Sequence, residues 1–347
     1  MVEFFTEYGM FLAKAVTFVV AFLFVVAGIA NVAGRNRQMD DDGTLRVKHL
    51  NDEMKALREG LGDEVMAPAA RKAARKAREK AEKAEHKKQK KGADEPRKRV
   101  FVLDFHGDIR ASAVEDMRRE ISAVLQIASK EDEVVVRLES PGGLVHSYGL
   151  AASQLRRVRD HGIPLTICVD EVAASGGYMM ACIGDRIIAA PFAVIGSIGV
   201  VAQVPNVHRL LKKHDVDVDV MTAGEYKRTL TVFGENTDKG RQKFQEELED
   251  THLLFKEFVG EQRAGLDVAK VATGEHWFGQ RALELGLVDE LKTSDEYLLE
   301  RIESADVFEV RWEHKRKLAE RLGFSVEGGV QRAVEKLLHQ GASRWLQ

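Results

Sequence analysis

Between Val100 and Val169 the chain alternates strand-type and helix-type hydrophobic patterns, and that alternation limits the fold more than any other feature. Val100-Phe101-Val102-Leu103-Asp104-Phe105 is a near-continuous apolar run of strand length. Val114, Met117, Ile121, Val124, Leu125 and Ala128 then recur at helical spacing. Glu133–Glu139 (EVVVRLE) is a second strand. The turn Ser140-Pro141-Gly142-Gly143 leads into a helix over about Leu144–Asp160, and Pro164–Val169 (PLTICV) is a third strand. Strands that alternate with helices predict an α/β layered fold that begins near Arg99. Further along, Arg241–Gly260 reads as an amphipathic helix carrying Phe244, Leu248, Leu253, Phe255 and Phe258. Phe278–Val288 reads as a helix ended by Gly286. From Arg311 onward the chain is charged and helix-prone, with Trp312 and Trp345.

Two long apolar runs bear on topology. Ala15–Ala33 has 19 residues without a charge, close to the roughly 20 that span the hydrocarbon core as a helix. Glu3 and Glu7 precede it and Lys14 is the one early basic residue, so the run reads as an uncleaved anchor rather than a signal peptide. Arg35, Arg37, Arg46 and Lys48 follow it closely, which by the positive-inside rule puts the bulk of the chain in the cytoplasm. The flanking charges are few and leave the side open. Ile187–Val204 is a second apolar run of 18 residues, but Pro191, Gly196 and Gly199 interrupt it. It is expected to be strand–turn–strand in the core and not a second span.

The net charge of −3 conceals an asymmetry: Gly34–Arg99 holds 20 Lys+Arg against 13 Asp+Glu. Within it, Met66–Lys91 is rich in Ala, Lys, Arg and Glu, strong helix formers with no apolar stripe to bury. A solvated helical spacer is the expectation, with attraction to anionic lipid headgroups as its functional version. No nucleic-acid motif or aromatic platform accompanies the charge, and nucleic acid is not expected as a partner. Cys168 and Cys182 lie in apolar surroundings without metal-ligand spacing and read as buried small hydrophobes.

A serine hydroxyl needs a base beside it to become a nucleophile. Ser175 follows a strand and precedes Gly176-Gly177-Tyr178 at an apparent helix start. An ordinary Ser N-cap has the same local pattern. Histidine is the usual base, and His106 and His146 are the apolar-flanked candidates; neither sits in a GxSxG or HExxH motif. A lysine is the other choice. Its pKa of about 10.4 in water falls by up to about 3–5 units on burial. Lys227, 52 residues beyond Ser175, has Leu230, Val232 and Phe233 after it, a setting compatible with such a pocket, while a lysine with no other mark is ordinarily a solvated surface charge.

Four motifs occur in order: Ser140-Pro141-Gly142-Gly143, Ala174-Ser175-Gly176-Gly177-Tyr178, Ala190-Pro191 with Ile195-Gly196-Ser197-Ile198-Gly199-Val200, and Gly224-Glu225-Tyr226-Lys227. Together they resemble the signal peptide peptidase A family of bacterial membrane serine proteases, the S49 peptidases. The resemblance covers about residues 99–295, and the anchor and basic spacer match the branch with one catalytic repeat. It implies a ClpP/crotonase-like layered fold preceded by a single transmembrane helix and a basic helical spacer. It also implies Ser175 as nucleophile, Lys227 as general base, and Ser197 as the group that orients the lysine. Gly176 with an N–H of the Gly142-Gly143 turn would form the oxyanion hole.

The domains expected are an anchor over 1–34, a spacer over 35–98, a protease domain over 99–300 and a charged helical tail over 301–347. The expected activity is a serine endopeptidase at the bacterial inner membrane, needing no metal and no cofactor. Its substrates would be peptides or membrane-derived polypeptides such as signal-peptide remnants, and its partners membrane lipid and further copies of itself in a homo-oligomer. The competing classes are a crotonase-type acyl-CoA enzyme, which shares the glycine oxyanion hole, and a membrane scaffold with a lapsed site.

Overall fold

The computed structural model describes residues 43–89 and 97–314, together with Thr17. The chain divides into two compact units, Met1–Leu45 with Glu313–Gln347, and Arg46–Trp312. The second carries almost all of the described fold. In chain order its elements are β1 (Thr44–His49, whose first two residues fall in the other unit), α1 (Leu50–Val65), α2 (Pro68–Gln89), β2 (Arg99–His106), α3 (Val114–Val124), β3 (Glu133–Glu139), α4 (Val145–Asp160), β4 (Leu165–Val169), β5 (Val172–Ala174) and α5 (Gly176–Ala181). There follow β6 (Arg186–Ala189), β7 (Val194–Gly196), α6 (His208–Lys213), α7 (Asp238–Gln262), α8 (Val268–Val271), β8 (His276–Phe278), α9 (Gly279–Glu284), β9 (Glu290–Leu291), α10 (Ser294–Ser304) and β10 (Asp306–Glu313). The fold is α/β, as the alternating pattern predicts.

Seven strands form one sheet in the order β1-β10-β2-β3-β4-β6-β9. Neighbours from β10 through β2, β3, β4 and β6 to β9 run parallel. Parallel strands covered on both faces read as unbroken apolar runs, and Val134, Val135 and Val136 are all fully buried. Successive side chains divide between the faces. Val134 and Val136 join Ile121 of α3 and Leu155 of α4 in one core. Val135 joins Tyr297 and Leu298 of α10 in the other. A second sheet, β5-β7-β8, stands at the end of β3, reached by a parallel bridge between Ser140 and Ala173.

The run Ile187–Val204 supplies β6 to the large sheet and β7 to the small one, with Ala190–Ala193 turning between them. Residues 187–189 and 194–196 are core strand, as expected, and no part of the run is helical, but 197–204 form no strand and Val201 and Val204 are exposed. Cys168 and Cys182 are free and buried, and burial pushes both thiols up to about 12. The expected span Ala15–Ala33 lies outside the described residues, except for Thr17. Among the described residues no helix is long and apolar enough to cross a membrane.

Two parts of the chain differ from expectation. Residues 44–51, placed by composition in the spacer, build one edge of the fold: β1 neighbours β10, and Leu50 packs with Val100 and Val307. The Asn51 amide donates to the Ile302 and Ala305 carbonyls at 3.1 and 2.8 Å and accepts the Val307 N–H at 2.8 Å. Only beyond this does the basic helix α2 follow. At the other end, Arg311 and Trp312 are not helical. They belong to β10, where Val307 and Val310 face inward and Arg311 pairs with Asp104 at 2.5 Å. Residues 315–347 of the expected tail lie outside the described residues.

Glu120 of α3 is 4% exposed and accepts the Trp312 N–H at 2.7 Å through Oε1, while Oε2 is buried without a hydrogen bond. Burial pushes its carboxyl up to about 7, with the Asp116 and Asp104 charges adding and the Trp312 N–H and Arg311 opposing. A carboxyl raised in the folded state binds its proton more tightly there than in the unfolded chain. Its contribution to stability therefore falls as pH rises from about 4.5 to about 7. Glu120→Gln is expected to remove that fall and to raise stability at pH 8 by on the order of 3 kcal/mol, at about 1.4 kcal/mol per pH unit. Urea unfolding of both proteins at pH 5 and pH 8 checks this; equal differences at the two pH values contradict it.

Candidate active site

Ser175 is the single residue between β5 and α5. β5 runs parallel to β7 with Ala174 opposite Gly196, and the Ser175 N–H donates to the Gly196 carbonyl at 2.7 Å. The helix begins at the next residue, with the Met179 N–H on the Ser175 carbonyl at 3.0 Å. To turn from strand to helix in one step Ser175 takes φ 53° and ψ −118°, a conformation that costs a non-glycine residue about 1–3 kcal/mol. Its side chain caps nothing, so the ordinary N-cap role does not apply. A sharp, strained strand-to-helix turn is a known means of exposing a nucleophilic oxygen.

The glycines beside it are there for space. A Cβ on Gly176 would overlap the Tyr148 ring, and one on Gly177 the Ser140 carbonyl. Ser140 is fully buried; it donates to the Val172 carbonyl at 2.8 Å and accepts the Ala174 N–H at 3.0 Å, which brings the turn that follows it alongside Ser175. Gly142 has φ +90°, and a Cβ there would lie 2.8 Å from the Ser175 Cβ and 2.7 Å from the Gly176 nitrogen. A side chain on Gly143 would overlap the Ile109 carbonyl, which also accepts the Leu144 N–H at 2.8 Å.

Of the three expected oxyanion residues, Gly142 has its N–H committed to the Ser140 hydroxyl at 3.1 Å. Among the described hydrogen bonds the Gly143 and Gly176 N–H groups have no acceptor. These two are the donors left for a developing oxyanion. Gly142 contributes its bare Cα.

Ser197 follows Gly196 as Ser175 follows Ala174, and it too has positive φ, 50°. Its N–H donates to the Glu275 carbonyl at 2.6 Å and it is half-buried. Lys227 closes a turn with its N–H on the Gly224 carbonyl at 3.2 Å, and Gly224 has φ +101°. The turn is tied to the start of α7 by Glu225–Lys239 at 2.5 Å and by Lys243 over the Tyr226 ring at 5.5 Å. Lys227 is exposed, and no described hydrogen bond or ion pair joins it to Ser175 or Ser197. Of the two local readings of Lys227, pocket and surface charge, the described residues show the surface charge, with Phe233 and Tyr226 themselves exposed. The structure thus gathers Ser175, Gly176, Gly142 and Gly143, sets Ser197 at the next register step, and leaves Lys227 on an outer turn. His106 is exposed and paired with Glu139 at 3.0 Å, and His146 is exposed; no described hydrogen bond links either to Ser175. Tyr148 and Ile109, which frame the glycines, were not anticipated. An aromatic hydroxyl on the buried face of α4 is the one sign of them in the sequence.

Residues 3–155 match Peptidase family S49 N-terminal and residues 157–307 match Peptidase family S49. The chain is 56% identical over 329 residues to a probable protease SohB of Haemophilus influenzae, covering 93% of each. It is 46% identical over 316 residues to a probable protease SohB of Buchnera aphidicola subsp. Schizaphis graminum, covering 90% of this chain and 92% of that one. A solved membrane-bound stomatin-specific protease aligns with a TM-score of 0.39 at 16% identity, over 60% of this chain and 86% of that one.

Ser175→Gly is expected to stabilise the fold by about 1 kcal/mol, because glycine takes positive φ without the steric cost. Ser175→Ala keeps the strain and is expected to leave stability within about 0.5 kcal/mol. Thermal melts of both variants check this. Equal midpoints for the two would show that Ser175 is unstrained.

Proposed function

The chain belongs to peptidase family S49, and on that premise we propose that it is a membrane-anchored serine endopeptidase with Ser175 as nucleophile and Lys227 as base. The observation that carries the serine assignment is the close approach of Gly142 to Ser175 on its strained turn, beside the uncommitted Gly143 and Gly176 N–H groups.

In this mechanism neutral Lys227 takes the Ser175 proton as Oγ attacks a peptide carbonyl. The carbonyl oxygen, now charged, is received by the Gly143 and Gly176 N–H groups, each such donor being worth about 2.7–4 kcal/mol to the transition state. Lys227 returns the proton to the leaving amine, and water then deacylates Ser175 by the reverse route. Ser197 holds the lysine amine in place.

Lys227 must lose most of its hydration to act as a base at neutral pH. Its segment exposes Val201, Leu210, Val216, Val220, Met221 and Phe233, more apolar surface than a solvated loop ordinarily carries. We assign its cover to neighbouring copies in a homo-oligomer, which would draw the turn over Ser175. Ala15–Ala33 would anchor each copy in the inner membrane, with α2 near the headgroups. Its substrates would be peptides and membrane-derived polypeptides, including signal-peptide remnants.

In detergent, hydrolysis of an apolar peptide substrate by the full chain is expected to fall about a thousandfold or more in Ser175→Ala and in Lys227→Ala. Retained turnover in either variant contradicts the dyad. Sedimentation of the active enzyme is expected to give an oligomer, and full activity in a monomer contradicts the assigned cover. Release of the chain from membranes by alkaline carbonate contradicts the anchor.

A further inference from the structure

Tyr148 and Ser140 are both fully buried and joined at 2.6 Å between their oxygens. The Tyr148 hydroxyl also lies 2.8 Å from the Asp108 carbonyl, which can only accept. The phenol has one proton, so it is spent on Asp108, and the Ser140 hydroxyl must be the donor to Tyr148. Ser140 Oγ in turn accepts the Gly142 N–H at 3.1 Å. The direction of the whole chain is thereby fixed: Gly142 N–H to Ser140 Oγ, Ser140 O–H to Tyr148, Tyr148 O–H to the Asp108 carbonyl. Burial raises the Tyr148 phenol above its ordinary value, so it keeps the proton the chain requires.

The same tyrosine touches the other half of the site. Its ring occupies the space where Gly176 would carry a side chain, and its hydroxyl lies 2.5 Å from where a Gly107 Cβ would be. One side chain therefore abuts the residue that supplies one free N–H and, through Ser140, fixes the turn that supplies the other. The loop it bonds to is itself tied down: Asp108 Oδ1 accepts the Ser112 N–H at 2.8 Å, and Oδ2 accepts the Ser112 hydroxyl at 2.6 Å.

We propose that Tyr148 and Ser140 are positioning residues that set the spacing of the Gly143 and Gly176 N–H groups at Ser175. They touch no substrate and act through Gly142 and Gly176. Fixed donors stabilise charge that appears only in the transition state, so loosening them lowers kcat and leaves ground-state binding in place. The proposal rests on Ser175 being the nucleophile.

The test compares Tyr148→Phe, Ser140→Ala, the double variant and Ser175→Ala in the full chain. Each single variant is expected to lower kcat about tenfold with KM within about twofold, the size of one lost hydrogen bond. Each is expected to weaken a peptide aldehyde, whose adduct carries the oxyanion, by that same factor. The double variant is expected to fall no further than the worse single one, since both break one chain. Unchanged kcat in the two singles, a rise confined to KM, or a double loss equal to the product of the singles overturns the proposal. If one single variant melts early, the other decides alone, by kcat against aldehyde affinity. An active Ser175→Ala would instead sink the serine reading itself, a separate result.

Discussion

Three stretches of backbone meet at Ser175 with no room for a side chain between them: the end of β5, the turn after β3, and the first residues of α5. Gly142 lies against the Ser175 Cβ, and Gly176 and Gly177 lie against Tyr148 and Ser140. The meeting depends on the parallel strands, because the Ser140–Ala173 bridge and the Ala174–Gly196 register bring the loops to one place. Everything chemical follows from that contact. The strained serine stands beside it, and among the described hydrogen bonds the Gly143 and Gly176 N–H groups have no acceptor.

The residues packed around Ser175 carry no charge, while a group of ion pairs lies across the large sheet. Asp104 is bonded by Arg137 at 2.5 and 2.9 Å and by Arg311 at 2.5 Å, and Glu309 pairs with Arg137 at 3.2 Å. Against the burial that would raise it, the two guanidiniums hold the Asp104 carboxyl below its usual range. These pairs cross from β2 to β3, from β2 to β10 and, through Glu309 and Arg137, from β10 to β3, so they tie the last strand to the centre of the sheet.

The centre of the fold was legible because buried parallel strands leave long apolar runs, as at Val134–Val136, and the helices α3 and α4 leave a clean period. The edges were not. Thr44–Lys48 is exposed on both faces of β1, so no alternation records it. β10 carries Glu309, Arg311 and Glu313, which read as a solvated helix until their partners across the sheet are known. At the site, Ser175 and its glycines stood out as motifs because close packing forbids other residues there. Ser140 was visible as part of its motif, but Tyr148 and the link between the two were not, since that link joins residues from three separate segments. Lys227 was named by resemblance to a family, and its exposed turn carries no local mark of its role.

Covalent labelling at Ser175 tests the account most directly. The full chain treated with diisopropyl fluorophosphate is expected to gain one adduct, found by mass spectrometry on the peptide that contains Ser175 and absent in Ser175→Gly. An adduct on any other residue, or none under conditions where the enzyme cleaves peptide, would contradict it.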